Sequence, residues 1–289
     1  MSDRDATSGR VSSLTTAGRA PEGPDPHAYP RAVDADPTPR GAPTDRAAPP
    51  ATAIVLAGGS AARLGAGENK AFLDLGGVPI LGWSLVAFHR APGFDRIVIV
   101  TRAVDHDRAA AVAAELGVTS VVAIVTGGTT RHASERAGLA AVADDVAARR
   151  IGVIAIHDAA RPFIRQRLLE RILTDAASVG GAIPVLPVDQ PFLVRRGDGP
   201  DAAVPVATSD LRRAQTPQAF RAAELVAAYR RADEVGTEGV DTAETVERFG
   251  ALTITAIPGD LANAKITYAA DLTAARARAT DWDEHPLRR

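Results

Sequence analysis

Short, mostly apolar runs recur along this chain, each ending in glycines, small polar residues or charges, and that recurrence constrains the fold more than any other feature. Ala53 to Leu56 reads as a strand buried on both faces, Arg96 to Val100 as a second buried strand, Ser120 to Val125 as a third strand and Ile151 to Ile156 as another apolar strand. Segments with helical spacing separate them. Apolar residues recur behind Pro79 through Phe88, again over Asp107 to Leu116 before Gly117, and from Arg131 to about Ala148. Strand and helix therefore alternate, which predicts an α/β fold: a mostly parallel sheet with helices on both faces.

The first run leads into Ala57-Gly-Gly-Ser-Ala-Ala-Arg63, with Lys70 shortly after. Gly58 and Gly59 let the backbone turn its N–H groups toward an anion. Arg63 can fork onto phosphate oxygens and Lys70 brings a mobile charge. A plain βα turn with two surface cations has the same composition. The segment is neither a Walker loop nor a Gly-x-Gly-x-x-Gly fingerprint. A second glycine loop, Thr126-Gly-Gly-Thr-Thr-Arg-His-Ala-Ser134, places hydroxyls and Arg131 at a helix start, where they can bind an anion or base or simply cap the helix.

Ile151-Gly-Val-Ile-Ala-Ile-His-Asp-Ala-Ala-Arg-Pro-Phe163 delivers His157 and Asp158 to the C-terminal edge of its strand, where open α/β sheets bind ligands. A carboxylate there can hold Mg²⁺ that bridges triphosphate oxygens, and Arg161 can serve the ligand or pair with Asp158. His157 reads as a structural hydrogen-bonding residue.

Further on, Arg167 to Val179 is an amphipathic helix and Ala182 to Val188 a strand. Phe192 to Arg196 and Ala203 to Ala207 flank the turn Gly197-Asp-Gly-Pro200 and predict a β-hairpin arm at about 190–208, with edges suited to a partner subunit. Leu211 to Phe220 is read as the opening of a helix lasting to about Val235. A short helix over Asp241 to Phe249, a strand over Leu252 to Ile257, a polar loop containing Lys265 and a helix over Asp271 to Ala279 follow, with a frayed end at 281–289. Residues 1–50 hold nine of the twenty prolines without periodicity and read as a disordered tail, leaving one domain over 51–280. Thirty-three basic against thirty-five acidic residues give no call for nucleic acid or a membrane surface as partner. The absence of cysteine removes disulfides and thiolate metal sites, so any metal is held mainly by oxygen. No signal sequence or spanning apolar run is present, and a cytoplasmic protein is expected.

Taken together, Leu56-Ala-Gly-Gly-Ser-Ala-Ala-Arg-Leu-Gly65 with Lys70, Gly127 to Ser134, His157-Asp-Ala-Ala-Arg-Pro162, Gln215-Thr-Pro-Gln218 and Asn263-Ala-Lys-Ile-Thr267 resemble the 2-C-methyl-D-erythritol 4-phosphate cytidylyltransferase family in order and spacing across residues 52–279. The resemblance implies a Rossmann-like fold, a homodimer formed through the β-arm, and transfer of CMP from CTP to 2-C-methyl-D-erythritol 4-phosphate with Mg²⁺, releasing pyrophosphate, in nonmevalonate isoprenoid biosynthesis. By position it implies that Arg63, Lys70 and Lys265 are catalytic and that Ala57, Gly58, Gly59, Gly127, Gly128, Arg131 and Ser134 bind the nucleotide. Asp158, Arg161, Thr216 and Asp241 would bind the acceptor, with Asp158 also holding the metal.

The departures from the family pattern fall on the acceptor side. Gln190-Pro-Phe-Leu193 stands where the family shows Asp-Thr-x-Lys. Thr208 replaces the arginine eight residues before Thr216, and Val240-Asp241 replaces Thr-Asp. Arg195, Arg196, Arg212 and Arg213 are the nearby cations that can compensate. Asn69 replaces the proline before the lysine. These changes keep two alternatives in view: another acceptor such as ribitol 5-phosphate, and a nucleotide-binding paralogue without turnover, against which Arg63, Lys70, Asp158 and Lys265 argue. A guanylyltransferase of the molybdenum-cofactor type shares the Leu-Ala-Gly-Gly opening but not the later motifs.

Overall fold

The computed structural model describes residues 50–59, 69–195 and 203–288. The chain enters on β1 (Ala51–Leu56), passes a small hairpin of β2 (Asp74–Leu75) and β3 (Val78–Pro79), and then alternates. The order is α1 (Ile80–Arg90), β4 (Phe94–Thr101), α2 (His106–Glu115), β5 (Val121–Thr126), α3 (Arg131–Ala140), α4 (Ala143–Ala147) and β6 (Val153–Asp158). The second half adds α5 (Gln166–Val179), β7 (Gly180–Pro187), the pair β8 (Phe192–Arg195) and β9 (Ala203–Val206), β10 (Arg212–Ala214) and β11 (Gln218–Arg221). It closes with α6 (Ala222–Val235), α7 (Thr242–Phe249), β12 (Thr253–Pro258) and α8 (Ala269–Asp281).

The main sheet runs β10-β7-β11-β6-β1-β4-β5, with β12 along the other edge of β7. β1 pairs in parallel with both β4 and β6, so Leu56 lies opposite Val100 and Asp158. Because β5 lies beyond β4, the chain must cross back over β1 to begin β6. The crevice at the C-terminal ends of β1 and β6 is therefore a topological switch point, the place where an open α/β sheet leaves room for a ligand.

Strand alternation divides the core. Ala53, Val55, Ile97, Ile99, Val153 and Ala155 face α1, α2 and α5, whereas Ile54, Val98, Val100, Ile154 and Ile156 face α3, α6 and α7. On α5, Leu168, Leu169, Ile172, Leu173 and Ala176 form the buried stripe. The helices on both faces and the mostly parallel sheet agree with the sequence reading.

Three expectations are corrected. Leu211 to Phe220 is not the start of a helix: β10 and β11 lie antiparallel on one edge of β7, separated by a cis Thr216–Pro217 bond, and only Ala222 begins α6. The residue before a proline disfavours helical backbone, and Phe220, fully buried over Gly181, gains more from the sheet. The helix expected from Arg131 to Ala148 breaks at Val142, a buried side chain with φ −120°, into α3 and α4. The C-terminal end is not frayed through Arg288. Trp282 is buried under the Arg165 guanidinium at 4.2 Å, Arg165 pairs with Asp283 at 2.9 Å, and Arg90 donates to the carbonyls of Pro286 and Arg288 at 2.9 Å.

The expected arm is an antiparallel β8–β9 pair, with Phe192 opposite Val206 and exposed Phe192, Leu193, Val194 and Val204. Its turn lies outside the described residues, as do the tail up to residue 49 and Arg63. Among the described residues no helix is long and apolar enough to cross a membrane.

Candidate active site

β1 ends at Leu56, and Ala57 continues its ladder by donating to the Val100 carbonyl at 2.7 Å before exposed Gly58 and Gly59. Asn69 closes the far end of this loop. It is fully buried and donates from Nδ2 to the Ala57 carbonyl at 2.6 Å and to Asp105 Oδ2 at 3.0 Å, while its Oδ1 accepts from Ala71 N at 3.1 Å. The side chain is thus both clasp and N-cap of the 3-10 turn Lys70–Phe72. The exchange of proline for asparagine supplies a donor that binds the two loop ends together. Lys70 consequently crosses the glycine loop: a Cβ on Gly59 would lie 3.1 Å from Lys70 Cε, and Lys70 Nζ donates to the Ile266 carbonyl at 3.4 Å.

The second loop is tight because a Cβ on Gly128 would lie 2.3 Å from that of Ala133. Thr130 caps α3 by accepting from Ala133 N at 3.0 Å, and Ser134 Oγ donates to the Thr130 carbonyl at 2.9 Å. The Arg131 guanidinium reaches across to β6, where Nη1 binds Asp158 Oδ1 and Nε binds Glu135 at 2.9 Å.

Asp158 is the hub. Lys265 Nζ donates to its Oδ2 at 2.7 Å, and Arg161 Nε stands 4.0 Å from the same oxygen. Burial pushes the Asp158 carboxyl up, yet Arg131 and Lys265 outweigh it and hold the group well below the ordinary carboxylate range. Burial lowers the pKa of Arg161, and the charges of Arg131 and Arg213 lower it further against the pull of Asp158. Arg161 Nη1 donates to the Asn263 carbonyl at 3.0 Å, but its buried Nε has no hydrogen-bond partner. Cations thus outnumber carboxylates at the crevice, which suits an anionic ligand.

Among the described residues no three His, Cys, Asp or Glu side chains converge on a metal position. Each Asp158 oxygen already accepts from one cation and retains a second lone pair. Such a donor set fits Mg²⁺ held mostly by ligand phosphates and water with one protein oxygen.

A single tautomer of His157 satisfies the groups beneath the hub. Asp158 N donates to Thr216 Oγ1 at 3.0 Å, that hydroxyl donates to His157 Nδ1 at 3.0 Å, and Nε2–H donates to the Arg161 carbonyl at 3.2 Å. Thr216, placed with the acceptor from sequence, has its hydroxyl turned inward in this chain. Asp241 likewise caps α7 through Glu244 N at 2.9 Å and accepts from Gln218 Nε2 at 3.0 Å. Burial lowers the His157 pKa to about 3, so the folded protein keeps the ring neutral while the unfolded chain takes up a proton near pH 6.5. His157 stabilisation is complete above that pH and is lost as pH falls toward 3, at about 1.4 kcal/mol per pH unit. Denaturant midpoints should fall between pH 6.5 and 4.5, and His157→Gln should flatten the slope; an equally steep slope in the variant would assign it elsewhere.

Sequence reasoning missed Glu135 and Tyr229. Glu135 is fully buried, accepting from Arg131, Thr242 and the Tyr229 hydroxyl. Its signal was available: it sits four residues before buried Leu139, on the apolar face of its helix.

Residues 51–280 match the family model described as IspD, 2-C-methyl-D-erythritol 4-phosphate cytidylyltransferase. A 2-C-methyl-D-erythritol 4-phosphate cytidylyltransferase of Geobacillus kaustophilus is 36% identical over 225 residues, 78% of this chain and 95% of that relative. A bifunctional enzyme IspD/IspF of Dinoroseobacter shibae is 34% identical over 240 residues, 83% of this chain but 56% of that longer protein. The crystal structure of a 4-diphosphocytidyl-2C-methyl-D-erythritol synthase from Anaerococcus prevotii shares the fold, with a TM-score of 0.69 at 23% identity over 81% of this chain and 97% of that one.

Proposed function

Because the chain belongs to the 2-C-methyl-D-erythritol 4-phosphate cytidylyltransferase family, we propose that it transfers CMP from CTP to 2-C-methyl-D-erythritol 4-phosphate in isoprenoid biosynthesis, releasing pyrophosphate. The observation that carries this reading is the convergence of Arg131, Arg161 and Lys265 on Asp158 at the switch point. An acceptor phosphate oxygen forms a bond to the α-phosphorus of CTP as the bond from that phosphorus to the oxygen bridging to the β-phosphate breaks. The acceptor is already an anion at neutral pH, since the second pKa of a phosphate monoester is about 6. No general base is required, in keeping with a His157 locked between Thr216 and the Arg161 carbonyl. The work left to the protein is alignment and neutralisation of charge.

Lys70 and Lys265, with Arg63, take the triphosphate and the charge growing at the α-phosphate. The loop from Gly127 to Ser134 takes base and ribose. Mg²⁺ bound to the triphosphate with Asp158 as protein oxygen would neutralise phosphate charge. CTP supply places the reaction in the cytoplasm, and the exposed apolar β8–β9 arm supports a homodimer.

Arg161 and Arg213 hold the acceptor phosphate. Of the compensating cations, Arg212 is turned onto the carbonyls of Ser209 and Leu211. Arg213, on β10 opposite Leu186 of β7, makes no side-chain hydrogen bond or ion pair among the described residues, and its charge acts on Arg161. A charge-assisted contact of about 1.5–3 kcal/mol predicts that Arg213→Ala raises the acceptor KM by about tenfold or more and leaves the CTP KM unchanged. Equal changes in both would remove Arg213 from the acceptor site.

The deciding assay is pyrophosphate release from CTP and Mg²⁺ with 2-C-methyl-D-erythritol 4-phosphate, beside ribitol 5-phosphate and no acceptor. Release with the first alone supports the assignment. Release only with ribitol 5-phosphate changes the acceptor, and silence with both overturns the catalytic reading.

A further inference from the structure

Every polar contact of Glu135 is made to an element that carries or supports part of the site. Oε1 accepts from Arg131 Nε at 2.9 Å and from Thr242 Oγ1 at 2.8 Å, and Oε2 accepts from the Tyr229 hydroxyl of α6. Arg131 turns its other edge to Asp158 on β6. Thr242 opens α7 directly after Asp241. One enclosed carboxylate therefore touches the nucleotide-side loop and the segment bearing Asp241, which do not share a strand or helix.

Packing does not call for an acid here. Leu139, one turn later on the same face, is buried in the apolar core, and an aliphatic side chain at 135 would avoid the cost of burying a charge. Burial holds the Glu135 carboxyl above its ordinary value, and Arg131 and the two hydroxyls pull it only part of the way back. A guanidinium is a rigid planar fork, so one anchor leaves it free to rotate and two anchors on different edges fix its plane. Asp158 alone would hold Arg131 by a single edge.

We propose that Glu135 is a positioning residue. It sets the plane of Arg131 against Asp158 and ties the start of α7 to the same anchor, holding the nucleotide and acceptor halves of the site at one spacing. The kinetic part of this proposal rests on the function proposed above; the anchoring does not.

Glu135→Gln keeps the shape and removes the charge. In the ligand-free protein, exchange of the Arg131 Nε–H with water, followed by NMR, should quicken by about tenfold or more as a charged acceptor is lost. Glu135→Gln should lower kcat/KM for CTP by about tenfold or more, and Glu135→Gln/Arg131→Ala should be no slower than Arg131→Ala alone, since both changes break one interaction. Thr242→Val cuts only the tie to α7 and should raise the acceptor KM more than the CTP KM. It also provides the test if Glu135→Gln does not fold. Unchanged exchange, multiplied losses in the double variant, or equal KM effects in Thr242→Val would each overturn the proposal. A wild-type protein silent with every acceptor would overturn the function proposed above, and the exchange measurement would then decide the anchoring by itself.

Discussion

Lys70→Ala should lower kcat by about 10²–10³, the range for losing one preorganised donor aimed at developing charge, with the melting temperature nearly unchanged. Lys70 is half-buried, and its ammonium lies where two separate loops meet. Asn69 fixes its backbone by clasping Ala57, and Nζ reaches the carbonyl of Ile266, the residue after Lys265. The two lysines therefore approach the crevice from opposite ends of the chain, as a triphosphate losing pyrophosphate needs. Asn69→Ala should lose part of the same rate although Lys70 remains, because the loop ends are no longer joined. Pyrophosphate release under saturating CTP is the measurement. A Lys70→Ala rate within a few-fold of wild type would remove Lys70 from the reaction.

The alternation of apolar runs was enough to recover the sheet, because strands buried on both faces leave an unambiguous apolar signature, and Asp158 was legible as a polar residue ending such a strand. The lane between β6 and β7 was not. Leu211 to Phe220 carries arginines, glutamines and alanines that suit a helix locally; Pro217 speaks against one, but the pairing of β10 with β7 and of β11 with β6 and β7, strands distant in sequence, decides it. Of the partners of Asp158, Arg161 was legible three residues on, but Arg131 and Lys265 escaped, since a sequence places Arg131 at a helix start but does not show its guanidinium crossing to β6. The value of Asn69 was not legible either, because it lies in bonds to Ala57 and Asp105, remote in sequence.

Asp158→Asn should both destabilise the protein and halt turnover, and the two effects have one cause. The substitution keeps the shape and the backbone bond to Thr216 but leaves Arg131, Arg161 and Lys265 around a neutral amide. Removing one partner from a buried charged group costs about 3–5 kcal/mol, and because Arg131 retains Glu135 the lower end applies. At about 2–4 °C per kcal/mol for a domain of this size, the melting temperature should fall by about 6–12 °C. The sign with pH follows from the depressed carboxyl: its stabilisation is present above the unfolded pKa of about 3.9 and is lost as pH falls below it, so the deficit of the variant should be full at pH 7 and shrink in acid. Pyrophosphate provides the decisive contrast. In the wild type it competes with Asp158 for the same cations, whereas in Asp158→Asn those cations are released to it, so it should raise the variant's melting temperature more than that of the wild type. Equal stabilisation of both proteins would mean that phosphate binds elsewhere and that the cations around Asp158 are an ion-pair network with no part in binding substrate.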